Sequence, residues 1–200
     1  KPDKIKFEPS LFSIDIPIPT LDSEDESPNG KIPFKDCLNL FCKGDGVQKL
    51  DLWKTSNLLV LKLNRVKYGS KGYHKDKTFV DFPLDELDLT PYILSSEGKK
   101  NAKYDLYAVI SHVGNMGMGA YSAYIRKNGG GRWFKADDSK VTLVEDTSTF
   151  RNGNAYILFY VRQGFGSYSE IKTKNNGGND DGESKAVEPQ KQGCIQSDKS

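Results

Sequence analysis

No stretch of this 200-residue sequence comes near the ~18–20 consecutive apolar residues that cross a bilayer. The opening Lys1-Pro2-Asp3-Lys4 starts no signal-peptide pattern. Both absences argue against a membrane protein or a secreted precursor. Cysteine is scarce: Cys37, Cys42 and Cys194 are the only three, and no two stand in CxxC spacing. An odd, unpaired set fits a reducing compartment, cytoplasmic or nuclear, better than a disulfide framework. Charge of one sign is lacking too, since 29 Lys and Arg against 27 Asp and Glu leave +2. A nucleic-acid-binding domain is usually far more basic. Apolar residues are few, at 36% against a usual ~45–50% that also counts glycine. Part of the chain therefore lies outside any core, and the length suits one domain with a loose tail. A start at Lys rather than Met fits a processed terminus or a piece of a longer chain.

What is present is mostly strand signal. Leu11-Phe12-Ser13-Ile14-Asp15-Ile16 alternates apolar with polar after its first residue, until Pro17 and Pro19 end it. Residues 20–31, TLDSEDESPNGK, are acidic and hold no aromatic or β-branched apolar residue, which predicts a mobile loop. Phe34, Cys37, Leu38 and Phe41 fall at i, i+3, i+4 and i+7, one face of a short helix. Leu50 to Trp53 and Leu58 to Leu63 read as strands, followed by a glycine-containing hairpin over 64–77. That hairpin carries Arg65, Lys67, Lys71, Lys75 and Lys77 with Tyr68, Tyr73 and His74 between them. It could be drawn as a nucleic-acid patch, but glycine-punctuated polar hairpins are ordinary surface loops, and that reading is preferred.

Five further strands are expected at 103–113, 120–127, 132–135, 141–144 and 155–161, separated by Gly, Asn or Asp turns. The fold is thus α+β and predominantly antiparallel. The uninterrupted apolar run Ala155 to Val161 predicts a central strand covered on both faces. From residue 164 to residue 200 Gly, Asn, Ser, Lys and Asp dominate, so the ordered domain is expected over 1–163 and a disordered tail over 164–200.

The most informative segment is Tyr104 to Ser139, YDLYAVISHVGNMGMGAYSAYIRKNGGGRWFKADDS. Glycine at this density by itself marks a tight hairpin. The segment also resembles the histidine box of the ubiquitin-specific proteases, papain-like cysteine enzymes that remove ubiquitin. In that family a strand ending in Asn-His-Tyr leads through a glycine-rich blocking loop to Gly-His-Tyr-Thr-Ala-Tyr, and a Trp-containing strand then reaches Phe-Asp-Asp-Ser. Here Ser111-His112-Val113, the loop 114–119, Ala120-Tyr121-Ser122-Ala123-Tyr124 and Ala136-Asp137-Asp138-Ser139 take those places. The resemblance extends to Phe7-Glu8-Pro9, to Ile14 through Pro19, and to Asp36-Cys37-Leu38-Asn39-Leu40-Phe41. It continues through Lys49 to Lys54, Phe79 to Leu84, Leu87 to Tyr92 and Ala155 to Tyr160. It covers roughly 7–161 in the right order and implies the palm and shortened fingers of a papain-like domain, its C-terminal half.

Cysteine proteolysis needs a thiolate, a histidine that takes and returns the proton, and a group that orients the histidine. By resemblance Asp137 holds the orienting position, but Ala120 stands where the catalytic histidine belongs, and the family's cysteine box is not in the sequence. His112 precedes Ala120 on the neighbouring strand, at a family position whose histidine is not the base. Cys37 and Cys42 sit on the short helix, where Cys37 acts as a small hydrophobe rather than a nucleophile. Only Cys42 to Gln48 stands where the family carries a zinc-binding cysteine pair, so no metal and no other cofactor is expected.

Two functions follow from the resemblance. One is a thiol-dependent deubiquitinase, inactive as this chain alone. The other is a ubiquitin-binding or scaffolding pseudoenzyme, with Gly114, Met116, Gly117, Met118, Gly119 and Tyr121 near the ubiquitin tail. Tyr121 and Tyr124, three apart on a strand, must lie on opposite faces, so at most one faces that groove. Expected partners are ubiquitin or a ubiquitinated protein and a missing N-terminal half, without nucleic acid or membrane. An unrelated RNA-binding β-domain acting through 64–77 remains the third reading.

Overall fold

The computed structural model describes residues 13–20, 30–43, 51–70, 72–127 and 131–165. Its elements in chain order are β1 (Ile14–Pro17), β2 (Lys31–Pro33), α1 (Phe34–Lys43), β3 (Leu58–Asn64), β4 (Val66–Gly69), β5 (Gly72–Lys75), β6 (Phe79–Asp81) and β7 (Leu87–Asp88). They continue with α2 (Ser96–Lys99), β8 (Lys103–Asn115), β9 (Met118–Arg126), β10 (Trp133–Asp137), β11 (Lys140–Val144) and β12 (Ala155–Arg162), with single 3₁₀ turns at Thr90–Tyr92 and Thr147–Thr149. The expected Leu11-Phe12 strand start, residues 21–29 of the acidic loop, Phe7-Glu8-Pro9, the 44–50 stretch and the tail beyond 165 lie outside the described residues. No helix among the described residues is long and apolar enough to cross a membrane.

One sheet organises the molecule. Its strands run β1-β3-β12-β8-β9-β10-β11, with β7 added on β8. β1 joins β3 in parallel, and the remaining ladders of this sheet are antiparallel. Small two-stranded pairs β2-β6 and β4-β5 flank it. Pro17 closes β1 from within rather than standing beyond it; β1 is an edge strand, where a missing N–H is tolerated. Over residues 51–53, the described part of the expected Leu50 to Trp53 strand, there is one bridge, Leu52 to Ile93. The reason is local, because the next carbonyl, that of Trp53, accepts instead from the Ser95 hydroxyl.

The two faces of the sheet differ sharply. On the closed face Leu59, Leu61, Leu158, Tyr160, Leu106, Val109, Tyr124 and Trp133 pack into one core with Phe34, Cys37 and Leu38 of α1, with Ile32 and Val80 of β2-β6, and with Phe150. Tyr124 and Trp133 both meet the Phe150 ring, at centroid distances of 5.0 and 4.6 Å. Arg65 is buried among these elements and ties them through their backbone, donating to the carbonyls of Ala155, Asp76 and Thr78 at 2.6, 3.0 and 2.9 Å.

The opposite face is open. Cross-strand register places Val60, Phe159, Ala108, Ile125, Phe134 and Leu143 in one row over β3, β12, β8, β9, β10 and β11. The adjacent row is Lys62, Ile157, Ile110, Ala123, Ala136 and Val141. Every one of these residues is half-buried or exposed, and only Lys62 is charged. β12 is therefore central in its sheet but covered on one face only, not on both. Its unbroken apolar run includes a second face on which Ile157 and Phe159 are only half-buried.

Candidate functional site

The β8-β9 hairpin carries the residues that the sequence singles out. Its ladder runs without a register shift from Ala108 opposite Ile125 to Asn115 opposite Met118, leaving Met116-Gly117 as a two-residue turn. The stretch expected to be a loop, 114–119, is thus paired strand on both sides of that turn. Glycine makes this possible. Gly117 adopts φ +79° and Gly114 φ +137°, and a side chain on Gly114 would run into the backbone of Met118 and Gly119 across the ladder. At Gly119 a β-carbon would fall on the His112 imidazole.

Alternation along paired strands sorts the site residues. Val113 faces Ala120 across the ladder, and Met118 and Ser122 flank Ala120 on the same side of the sheet, the side on which Tyr124 is buried. Lys135 opposes Tyr124, so Asp137, two residues on, shares that side as well. Lys135 Nζ lies 2.8 Å from Asp137 Oδ2 and holds its carboxyl below the usual carboxylate value, with Ser122 adding to the effect. Ala120, Ser122, Lys135 and Asp137 thus form one half-exposed cluster at the free end of the closed face. Asp138, at φ 49°, turns the chain into β11 immediately beyond it, a conformation Asp tolerates.

His112 and Tyr121 occupy the other side of the sheet. Their rings are 4.7 Å apart and tilted by 36°, with Tyr156 at 6.4 Å from the imidazole. Lys75 of β5 donates to the His112 carbonyl, docking the basic β4-β5 hairpin against this strand. Burial first and the Lys75 charge second hold the His112 pKa below its ordinary value. His112 therefore stands across the sheet from Asp137. Tyr121 is 60% exposed and Tyr124 7%, so of the two tyrosines only Tyr121 offers a ring to a ligand.

The thiols are placed elsewhere. Cys37 is fully buried in α1, where burial and the neighbouring Asp36 charge push its pKa up to about 12. Cys42 is half-buried on the same helix, and neither forms a disulfide. Among the described residues no group of three His, Cys, Asp or Glu side chains could hold a metal ion. The basic hairpin ends in an exposed, edge-to-face Tyr68–Tyr73 pair with centroids 5.1 Å apart. Sequence reasoning missed Ser122, Lys135 and Lys75. The first two were within reach, because Lys135 stands two before Asp137 and Ser122 two after Ala120, the same-face spacing of a strand; Lys75 meets His112 only in the tertiary fold.

An antiparallel-rich sheet with a small helix and a glycine-bound hairpin beside an Asp-bearing strand is the palm-and-fingers architecture of a ubiquitin-specific protease domain. The family of ubiquitin carboxyl-terminal hydrolases matches residues 22–160, and the chain belongs to that family. It is 40% identical over 116 residues to ubiquitin carboxyl-terminal hydrolase 5 of Arabidopsis thaliana, covering 58% of this chain and 12% of the relative. Over 175 residues it is 31% identical to hydrolase 12 of Saccharomyces cerevisiae, covering 75% and 14%. Human hydrolase 15 is 34% identical over 150 residues, with coverage of 66% and 15%. The chain thus spans a small part of the length of these relatives. Among solved structures, a yeast SAGA DUB module aligns at a TM-score of 0.59 and 26% identity, over 76% of this chain and 34% of that one. A SAGA DUB module bound to monoubiquitin aligns at 0.59 and 25%, over 76% and 35%.

Proposed function

We propose that this chain is the C-terminal half of a ubiquitin-specific protease domain that binds ubiquitin or a ubiquitinated protein and does not hydrolyse isopeptide bonds by itself. The observation that carries the reading is the cluster around Ala120. An acid held at Asp137 lies on the same side of the sheet as Ala120, a methyl group where the family places its proton-transferring histidine. Ala120 can neither accept nor donate a proton, and His112 lies on the wrong side of the sheet to replace it. Loss of the base from such a unit typically costs ~10³-fold or more in rate. The hairpin residues Gly114, Met116, Gly117, Met118, Gly119 and Tyr121 contribute the binding surface. The exposed Tyr121 ring and the exposed hairpin end suit an extended, glycine-containing tail such as that of ubiquitin. A cytoplasmic or nuclear setting is part of the same proposal.

The test is a titration of ¹⁵N-labelled ubiquitin with this chain, with a thiol-directed ubiquitin probe run alongside. Shifts in ubiquitin's C-terminal tail without probe labelling are expected. An absence of shifts at several hundred micromolar, a limit of about −5 kcal/mol, overturns binding by this chain.

A second reading is favoured by the open apolar face. Rows of half-exposed Val, Ile, Phe and Leu side chains on a sheet demand a cover, and the missing N-terminal half of the domain, with its cysteine box, supplies one. In that assembly the activity is that of a weak thiol-dependent deubiquitinase. Ala120→His in a chain that includes the cysteine box then restores cleavage of a ubiquitin ester, and an unchanged rate excludes this reading.

A further inference from the structure

Methionine is usually a core residue, yet this chain contains only two, and both stand at the turn of the β8-β9 hairpin. Met118 is 81% exposed and Met116 44%. Gly117 between them, at φ +79°, makes the turn. Met118 alternates onto the side of Ala120 and Val113, itself 56% exposed. An apolar strip of Val113, Ala120 and Met118 therefore lies beside the Asp137 cluster, where the family's chemistry would call for polar groups.

We propose that Met116 and Met118 are a reversible oxidation site that switches ligand binding at this hairpin; the proposal rests on the ubiquitin-binding reading above. The oxidant is hydrogen peroxide. A sulfur lone pair attacks one peroxide oxygen, the O–O bond breaks, and proton transfer releases the other oxygen as water. The thioether is oxidised by two electrons to the sulfoxide and the peroxide is reduced. A thiol-dependent sulfoxide reductase reverses the step, forming water and a disulfide from its two thiols. Access favours these sulfurs over Cys37, which is buried and stays a protonated thiol. The sulfoxide is a strong hydrogen-bond acceptor with a large dipole. Placed at Met118, it converts the apolar strip into a polar one while the ladder from Ala108 to Asn115 keeps its backbone pairing.

The experiment treats the full chain with low-millimolar peroxide, maps the added oxygens by peptide mass, and repeats the ¹⁵N-ubiquitin titration on reduced, oxidised and reductase-treated protein. Expected are one added oxygen at each of Met116 and Met118, at rates near that of free methionine, and about a tenfold weakening of binding that the reductase reverses. The double variant Met116→Leu/Met118→Leu, whatever its own affinity, is expected to bind ubiquitin equally before and after peroxide treatment. Unmodified methionines, equal binding before and after oxidation, or peroxide sensitivity that persists in the double variant each overturn the proposal. Reduced protein that binds no ubiquitin overturns the binding reading and this inference with it. Reduced protein that binds, and binds equally when oxidised, overturns this inference alone.

Discussion

Lys135 and Asp137, alternate residues of one strand, are joined at 2.8 Å on the side of the sheet that carries Ala120. The acid that would orient an imidazole is thus engaged by an ammonium group from its own strand. Lys135→Met is expected to raise the Asp137 pKa toward its ordinary value of 3.8, read by carboxyl-carbon NMR across an acid titration. The sign follows from the depressed folded value. The pair's contribution is present above 3.8 and disappears as pH falls through the lower folded pKa. Introducing Ala120→His should place an imidazole in competition with Lys135, so its pKa rises further in the Lys135→Met background than in the parent. Equal values in both backgrounds would show that Asp137 does not reach the 120 position.

Gly119 has no room for a side chain. Its β-carbon would meet the His112 imidazole and the Val113 carbonyl, the latter at 2.5 Å. Gly119→Ala is expected to push the His112 ring away from Tyr121 and to cost about 1–3 kcal/mol, as overpacking does. Loss of the Tyr121 ring-current shift on the His112 protons, together with a lower urea midpoint, checks this. Gly72, whose β-carbon would meet nothing within 4 Å, is the control for clash, although its φ of +94° adds backbone strain of its own to any substitution there.

Arg65 is 2% exposed, and its three hydrogen bonds all go to backbone carbonyls. Burial lowers its pKa to about 10. Arg65→Met leaves those carbonyls without their donor and should cost about 3 kcal/mol or more by urea unfolding. Arg65→Lys, with one compact donor group in place of the planar fork, is expected to recover only part of the loss. Lys100→Met, which removes an exposed pair with Glu97, should leave the midpoint unchanged.

Cys37 and Cys42 should separate by reactivity. At pH 8 iodoacetamide is expected to alkylate Cys42 in the native protein and Cys37 only in urea, as peptide mass mapping will show. Because the folded Cys37 pKa is raised from 9.0 to about 12, its stabilising effect is complete below pH 9. It is lost as pH rises toward 12. The alkaline fall in stability should therefore be shallower in Cys37→Ala than in the parent. Buried Tyr160, whose pKa is also raised by burial, contributes a fall of the same sign in both.

Much of the secondary structure was legible because strands and helices declare themselves by period. Alternation marked β1, strand-favouring residues between Gly, Asn and Asp turns marked β8 and β9, and the i, i+3, i+4, i+7 pattern from Phe34 to Phe41 marked α1, observed as Phe34–Lys43. The odd spacing of Tyr121 and Tyr124 correctly separated an exposed ring from a buried one. The loop expected at 114–119 was misjudged because glycine lowers strand propensity locally, whereas here it lets two strands approach closely enough to pair.

By itself the sequence determined which residues share a face, since that is a property of neighbours along the chain. Only the tertiary structure decided which face is closed, because the covering groups come from α1, β2-β6 and Phe150, distant in sequence from the strands they bury. The same holds for the docking of Lys75 on the His112 carbonyl and for the open side of β12. An apolar run records that water is to be excluded, but it does not encode whether the excluding partner lies within the same packed unit.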